Sequence, residues 1–305
     1  MDKEEGKDED WDEDDEVEDG KDNTQNPFEL DMDVDIDVVS SDRMSKGKFK
    51  RDYFSTQRPV LVTGQLFENQ GLWAHWRKED LLLRYGDINL YHTHGKQITT
   101  SLRDWVNVYA KSHEENEDGS NTSEGDGRSR RKLSYARSRT TSNVPLLVDD
   151  VKVPALLNLC GPNDNQPVQI TLSASSSISP LMSGPASWDV LIVGKRTWFL
   201  IPPSNGRTTM NIDAPGNELD IIKELESLRL SDPEKFLQRT SELRAQGLVH
   251  EVSQMPGETL FVPHDWTKIS MGHVEADSIS FTREFCSHTH SDQRFLPVGQ
   301  VLYVT

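Results

Sequence analysis

The sequence predicts an α+β protein with a β-sandwich or β-barrel core, and the order of its periodic segments carries this prediction. Helical patterns come first, between residues 78 and 112, and strand patterns separated by turns dominate from residue 168 onward. One helical stretch, residues 216–247, interrupts the strands. At 305 residues, the chain is long enough for one large domain or two small ones.

The early elements alternate between strand and helix. RPVLVTG at residues 58–64 is a short apolar run that ends at glycine, which predicts a strand. KEDLLLRYGD at residues 78–87 has helical apolar spacing and then a Tyr-Gly stop. INLYHT, beginning at residue 88, predicts a strand. TTSLRDWVNVYAKS follows it with a Thr/Ser cap and predicts an amphipathic helix.

The later elements are mostly strands. VPALLNLCG, from residue 153, predicts a short helix before the strands begin. The helical insertion, residues 216–247, reads as two helices separated at Ser-Asp-Pro. MPGETLFVPHDW and DSISFTREF, which begin at residues 255 and 277, then return to strand patterns separated by turns.

The first 45 residues are predicted to be a disordered acidic tail. Residues 1–40 contain 19 Asp or Glu and three Lys, a net charge of −16, whereas the whole chain carries −18. Charge repulsion of this size, with few apolar side chains, opposes folding. ELDMDVDIDVV at residues 29–39 alternates acids with apolar side chains. It is interpreted either as solvated tail or as a docking strand for a partner with a basic surface.

Residues 112–143 are predicted to be a disordered, charged surface insertion. The segment is polar and rich in Gly and Ser, and it changes from acidic to basic halfway. Its basic part, RSRRKLSYARSR at residues 128–139, fits a nuclear localisation signal or an anion-binding patch, and equally a plain solvated loop. We expect direct contact with nucleic acid only through this basic part.

Cysteine usage and the N-terminus indicate an intracellular protein that is neither secreted nor membrane-spanning. The two cysteines, Cys160 and Cys286, form no C-x-x-C pair and cannot build a disulfide framework, which favours a reducing compartment. The N-terminus has no apolar signal core, and no window approaches 18 apolar residues. The basic segment favours the nucleus, with the cytoplasm as the alternative.

Six sequence motifs between residues 55 and 288 carry a family resemblance: RPVLVTGQLF, WRKEDLLLRYGD, TSLRDWVNVY, GPASWDVLIVGKRTWFLIPP, PGETLFVPHDWTKIS and DSISFTREF. They resemble the JmjC (Jumonji C) branch of the cupin fold, nearest the phosphatidylserine-receptor-like hydroxylases. The resemblance implies one JmjC-like domain, residues 46–305, with a double-stranded β-helix (jelly-roll) core, N-terminal helices and a helical insertion. It also implies descent from oxygenases that use 2-oxoglutarate and Fe(II).

The iron site that the resemblance implies has lost its ligands. Family members hold Fe(II) with a His-x-Asp/Glu pair and a distal His, which leave open positions for co-substrate and oxygen. Aligned on Gly184 and Trp188, the first pair falls on Ser179 and Leu181, and the distal His falls on Lys268. No shift of register supplies a ligand, because residues 165–188 contain no His, Asp, Glu or Cys. A protonated ammonium has no lone pair for a metal.

The co-substrate pocket that the resemblance implies is partly kept. Ser176 matches a threonine of the family, Arg196 matches the lysine that clamps the co-substrate carboxylate, and Lys195 lies beside it. Asp189 matches an asparagine and would oppose an anionic ligand unless it is paired. Two interpretations stay open: an internal charge network of Lys268, Arg196 and Asp189, or a retained anion site.

The remaining candidates are assigned structural or surface roles. The His-x-His pairs at residues 92–94 and 288–290, with Asp292, are metal-capable but expected to be surface clusters. His264 and His273 are expected in loops, and Cys160 is expected to fill the core. Six tryptophans are also predicted to lie in the core: Trp73, Trp76, Trp105, Trp188, Trp198 and Trp266.

Three functions follow from these observations. The favoured one is a catalytically inactive JmjC-like protein that binds a protein or ribonucleoprotein partner with a basic surface, as a monomer or a subunit of a hetero-complex, with no metal or co-substrate. The second is an active 2-oxoglutarate- and Fe(II)-dependent protein hydroxylase or demethylase with atypical ligands. The third is a metal-independent module that binds a small anion through Ser176, Arg196 and Lys268.

Overall fold

The structure is a computed structural model that describes residues 36–64, 78–92, 99–107, 135–138, 156–159, 168–203, 218–273 and 277–285. Within these ranges it contains twelve strands: β1 Asp37–Ser40, β2 Val60–Thr63, β3 Asn89–His92, β4 Thr99–Ser101, β5 Tyr135–Ser138, β6 Val168–Ser173, β7 Ser187–Val193, β8 Arg196–Ile201, β9 His250–Gln254, β10 Thr259–Val262, β11 Thr267–Gly272 and β12 Ser278–Glu284. No helix in these ranges has the length and apolar character needed to cross a membrane.

The strands form two sheets. The nine-stranded sheet has the order β1-β2-β10-β7-β12-β6-β5-β3-β4, and the three-stranded sheet has the order β11-β8-β9. Single bridges from Ile178 to Met271 and from Met182 to Lys268 add the segment before β7 to the small sheet, beside β11. The α+β prediction is confirmed, and the two sheets form the jelly-roll core that the resemblance implies.

The space between the sheets has an apolar part and a polar part. Side chains of both sheets meet in one apolar cluster, which includes Leu61, Trp198, Leu200, Val252, Leu260 and Val262. Because side chains alternate along a strand, the neighbours of these residues face outward. In β7, for example, Trp188 and Val190 belong to the cluster outside the large sheet, while Asp189 between them faces the interior. Asp189 and Arg196 lie in the polar part.

Helices cover both outer faces. The first helical segment, α1 Lys46–Phe49 with a π-helical turn at Lys50–Phe54, packs with α2 Lys78–Tyr85 and the helical residues 102–107 against the large sheet. Two further helices, α3 Glu218–Ser231 and α4 Pro233–Ala245, pack against the small sheet. The sequence predicts most of these elements because their apolar residues recur at helical spacing.

The predicted helix starts are confirmed in two places. The Ser101 hydroxyl accepts a hydrogen bond of 3.0 Å from the Asp104 N–H, which caps the helical residues 102–107. Asp232 accepts one of 3.1 Å from the Lys235 N–H, and Pro233 occupies the first turn of α4. The predicted break at Ser-Asp-Pro therefore separates α3 from α4.

The structure differs from the predicted tail boundary. Residues 37–40, assigned to the disordered tail, form β1, which pairs in parallel with β2. The acid–apolar alternation explains the difference: Ile36 is buried in the apolar interior cluster, and Asp37 pairs with Arg58 at 3.3 Å. Of the docking strand considered from the sequence, residues 29–39, the described residues 37–39 thus pair with their own chain. Residues 1–35 lie outside the described part.

The predicted insertion also contains a strand. Residues 135–138, assigned to the disordered segment 112–143, form β5 between β3 and β6. Sheet pairing uses backbone groups, so a polar composition alone does not exclude a strand. The rest of this segment lies outside the described residues. Of the predicted helix at VPALLNLCG, only residues 156–159 are described, and they form a turn.

Gly194 in the β7–β8 turn offers a stability test of the barrel frame. Its φ is +83°, and an added Cβ would lie 2.3 Å from the Asp277 carbonyl oxygen. We expect Gly194→Ala to lower the free energy of unfolding by more than about 1 kcal/mol, because alanine is strained there and displaces backbone. Urea denaturation measures this. Gly47→Ala is the control, since a Cβ there meets nothing within 4 Å. Equal effects of both variants would contradict the prediction.

Candidate functional site

A buried arginine forms the centre of the polar part of the interior. Arg196, at the start of β8, has 0% of its surface exposed. Its Nε and Nη2 donate to the Ser278 hydroxyl at 3.2 and 3.0 Å, and its Nη1 donates to the Ser280 hydroxyl at 2.7 Å. The guanidinium of the small sheet is thereby held by β12 of the large sheet.

Asp189 supplies the counter-charge. Its Oδ1 lies 3.6 Å from Arg196 Nη1, and its Oδ2 accepts hydrogen bonds from the Ser280 hydroxyl at 2.9 Å and the Thr282 hydroxyl at 2.6 Å. Because 3.6 Å exceeds a hydrogen-bond length, the two charges attract directly but are hydrogen-bonded through Ser280. The two residues therefore form an internal ion pair, and they are two of the three members of the charge network considered from the sequence.

Trp198 and Gln254 surround the ion pair and hold the Arg196 guanidinium and the Asp189 backbone in place. The Arg196 Cζ lies 5.5 Å from the centre of the Trp198 ring. The Trp198 indole donates to Gln254 Oε1 at 2.7 Å, and Gln254 Nε2 donates to the Asp189 carbonyl at 2.9 Å. All these side chains are buried, so the network is shielded from water and its electrostatic interactions are strong.

The sequence contains a signal for this network that the sequence analysis missed. In β12 the residues alternate strictly: Ser278, Ser280 and Thr282 face the interior, whereas Ile279 and Phe281 pack in the outer cluster. Polar residues on the buried face of a central strand indicate partners inside the barrel. Their partners, however, lie about 90 residues earlier in the chain, and strand alternation does not identify them.

The three predicted iron positions make separate contacts. The Ser179 hydroxyl is buried and accepts a hydrogen bond of 2.8 Å from the Ser270 N–H. Leu181 packs against the cluster that contains α3 and α4, and its N–H donates to Glu226 at 3.4 Å. The Lys268 ammonium is half-buried and donates to the Ser187 hydroxyl. Each position is thus engaged in a contact of its own.

The side chains at these positions do not fit Fe(II). A hydroxyl held by a backbone amide, an isobutyl group in an apolar cluster and an ammonium provide none of the imidazole and carboxylate donors that iron takes in such sites. Within the residues that the structure describes, no three His, Cys, Asp or Glu side chains come together as a metal site. The absence of bound iron itself stays a prediction.

Two predicted anion-site residues lie elsewhere. Ser176 is exposed in a turn with φ of +56°, and its N–H donates to the His273 carbonyl at 3.2 Å. Lys195 is half-buried in the β7–β8 turn, where its carbonyl accepts from the His273 N–H. A left-handed turn points the Ser176 side chain out of the interior, so the expectation that it joins Arg196 is wrong. The Lys268 ammonium donates to the Ser187 hydroxyl.

The other candidates fall into three groups. His264 lies in a turn and pairs with Asp265 at 2.8 Å, and His273 follows β11, in agreement with their assignment to loops. The described tryptophans are confirmed as core residues: Trp105, Trp188, Trp198 and Trp266. Outside the described residues lie Trp73, Trp76, His94, Cys160, Cys286, His288, His290 and Asp292. Of His92, the structure describes only its backbone in β3.

The helical insertion contacts the segment that holds two of the predicted iron positions, Ser179 and Leu181. Glu226 of α3 accepts from the Leu181 N–H and from the Arg229 guanidinium. Arg229 is buried, and Leu181 packs against the apolar cluster that contains the helix pair. The insertion therefore covers this segment.

The comparisons with known proteins agree with this architecture. Residues 46–267 match the cupin-like domain family, which is most of the chain. The chain belongs to the JmjC-type cupin family. This family normally uses Fe(II) and 2-oxoglutarate.

Two curated relatives are similar to this JmjC-type chain over most of its length. Both are named bifunctional arginine demethylase and lysyl-hydroxylase psr-1. The protein of Caenorhabditis briggsae is 24% identical over 275 residues, which cover 83% of this chain and 62% of the relative. That of Caenorhabditis elegans is 24% identical over 272 residues, 83% of this chain and 61% of the relative. The chain thus spans less than two thirds of the length of these relatives.

Proposed function

We propose that this chain is a non-catalytic JmjC-type protein that acts by binding a protein or ribonucleoprotein partner with a basic surface. The observation that carries the proposal is the environment of the three iron positions. Ser179 bonds a backbone amide, Leu181 packs in an apolar cluster, and Lys268 is a half-buried cation. A cation in a ligand position repels Fe(II), and the other two side chains offer no donor of the required type.

The state of Arg196 supports the same proposal. A co-substrate dicarboxylate needs an uncompensated cation inside the barrel, and the Arg196 guanidinium already has Asp189 at 3.6 Å. A second carboxylate would stand beside the Asp189 carboxylate in a buried site, where like charges repel strongly. The same repulsion argues against a metal-independent module that binds a small anion at Arg196. It also argues against an active oxygenase, since Arg196 would have to clamp the co-substrate carboxylate.

Metal and turnover measurements test the non-catalytic part. We expect full-length protein, stripped of metal with a chelator, to show no stoichiometric binding of Fe(II) or Mn(II) in anaerobic calorimetry. We also expect no conversion of 2-oxoglutarate to succinate above a buffer control. Stoichiometric metal binding with turnover would establish the oxygenase alternative in place of this proposal.

The partner class follows from the acidic tail. Residues 1–40 carry a net charge of −16, which steers a basic surface toward the chain within the screening length of about 8 Å at physiological salt. Within the basic segment 128–139, the part that precedes β5 would direct the protein to the nucleus. The proposed partner is therefore a Lys/Arg-rich protein or ribonucleoprotein surface.

A synthetic Arg/Lys-rich peptide tests the partner class. We expect the full chain to bind it with an affinity that falls steeply as salt rises, and a variant that lacks residues 1–35 to lose most of this affinity. The barrel remains in both proteins, because β1 begins at Asp37. Equal affinity of the full and shortened chains would contradict a role for the tail.

A further inference from the structure

We propose that Asp189 is a built-in ligand: its carboxylate occupies an anion-binding site formed by Arg196, Ser280 and Thr282, and this site takes a small carboxylate such as formate once Asp189 is removed. The inference concerns one side-chain network and does not depend on the proposed function. It makes Asp189 the residue that excludes exogenous anions from the barrel.

The site is built without help from Asp189. Two nitrogens of Arg196 donate to the Ser278 hydroxyl, a third donates to Ser280, and the guanidinium lies over Trp198. These contacts come from β8 and β12, whereas Asp189 is on β7. Removing the carboxylate therefore leaves the cation and its hydroxyls in position.

The Asp189 carboxylate makes the contacts that a small bound anion would make in this site. Asp189 Oδ2 accepts from the Ser280 and Thr282 hydroxyls at 2.9 and 2.6 Å, and Oδ1 faces Arg196 Nη1 at 3.6 Å without a hydrogen bond. Hydroxyl donors and one nearby guanidinium are the groups that bind carboxylates in proteins. A free anion, not constrained by a backbone, can move closer to the guanidinium than Asp189 does.

Charge and size decide which ligand enters. Without Asp189, the fully buried Arg196 has lost the counter-charge that this network supplies, and an uncompensated buried charge is strongly unfavourable. Asp189→Ala keeps Cβ and removes only the carboxylate group. Formate has the size of that group, acetate is one methyl larger, and chloride cannot accept hydrogen bonds at two separate atoms.

Thermal unfolding of full-length Asp189→Ala in sodium formate, acetate and chloride at equal ionic strength tests the inference. We expect formate to raise the Tm progressively with concentration, acetate to raise it less, and chloride to leave it lowest. Wild-type protein should show no difference between formate and chloride. The double variant Asp189→Ala/Arg196→Met should also lose the formate response, since the cation is gone.

The outcomes that overturn the inference are equally specific. If Asp189→Ala responds to formate no more than wild type does, or if the double variant keeps the response, Asp189 is not a ligand of this site. If Asp189→Ala does not fold in chloride, refolding in formate replaces the melting experiment. Recovery of folded protein in formate alone supports the inference, and equal failure in both salts rejects it. Neither result depends on iron or on the acidic tail.

Discussion

Replacing Arg196 with methionine is expected to lower the free energy of unfolding by about 3–5 kcal/mol. Arg196 and Asp189 are almost fully buried, with side-chain exposures of 0% and 4%. Methionine fills much of the same space but leaves the Asp189 carboxylate without its positive partner. The two hydroxyls that bond Asp189 stabilise the charge only in part. Urea denaturation of the full chain, with the m-value checked for constancy, measures the loss.

The matched control removes both charges. In Arg196→Met/Asp189→Asn the amide keeps the shape of Asp189 and can still accept from Ser280 and Thr282. We expect this double variant to be more stable than Arg196→Met alone, because replacing a buried pair costs less than breaking it. If the loss of unfolding free energy in the double variant equals the sum of the losses in Arg196→Met and Asp189→Asn, the two residues act independently, contrary to the structure.

Replacing Phe236 with alanine is expected to cost about 3–5 kcal/mol and to loosen the helical insertion. Phe236 of α4 is fully buried and meets Phe199 of β8 edge to face, with 5.7 Å between ring centres. It packs in the cluster that joins both insertion helices to the small sheet. We expect faster proteolysis between residues 218 and 245 in the variant, together with a lower urea midpoint.

The neighbouring Leu237 provides the control for this prediction. Its side chain is 40% exposed on the same helix. We expect Leu237→Ala to change the free energy of unfolding by no more than about 0.5 kcal/mol and to leave the proteolysis pattern unchanged. Comparable losses at both positions would mean that helix propensity, and not packing against Phe199, holds the insertion.

Local patterns predict most of this fold because they report burial directly. The Ser-Asp-Pro break, the Thr/Ser cap and the apolar runs all correspond to observed element boundaries. Strand β5 escapes prediction because its composition is that of a loop and its pairing depends on distant backbone groups. For β1, the acid–apolar alternation allows a strand but does not identify β2 as its partner. Whether a single side chain lies inside the barrel is harder to predict from the sequence than the strands themselves. Alignment draws attention to Arg196 and Asp189, which are buried together, but Ser176 lies in an exposed left-handed turn outside the interior.

The position of β12 has a consequence for how the chain folds. This strand lies at the middle of the large sheet, between β6 and β7, although it is the last described element in the chain. Its residues pair with partners about 100 positions earlier, such as Ser280 with Thr171. Pairings of such high contact order form slowly, so the sheet stays open at its centre until residues 278–284 have been synthesised. Barrel closure therefore waits for this strand, and the Arg196 guanidinium gains its hydroxyl partners only in that step.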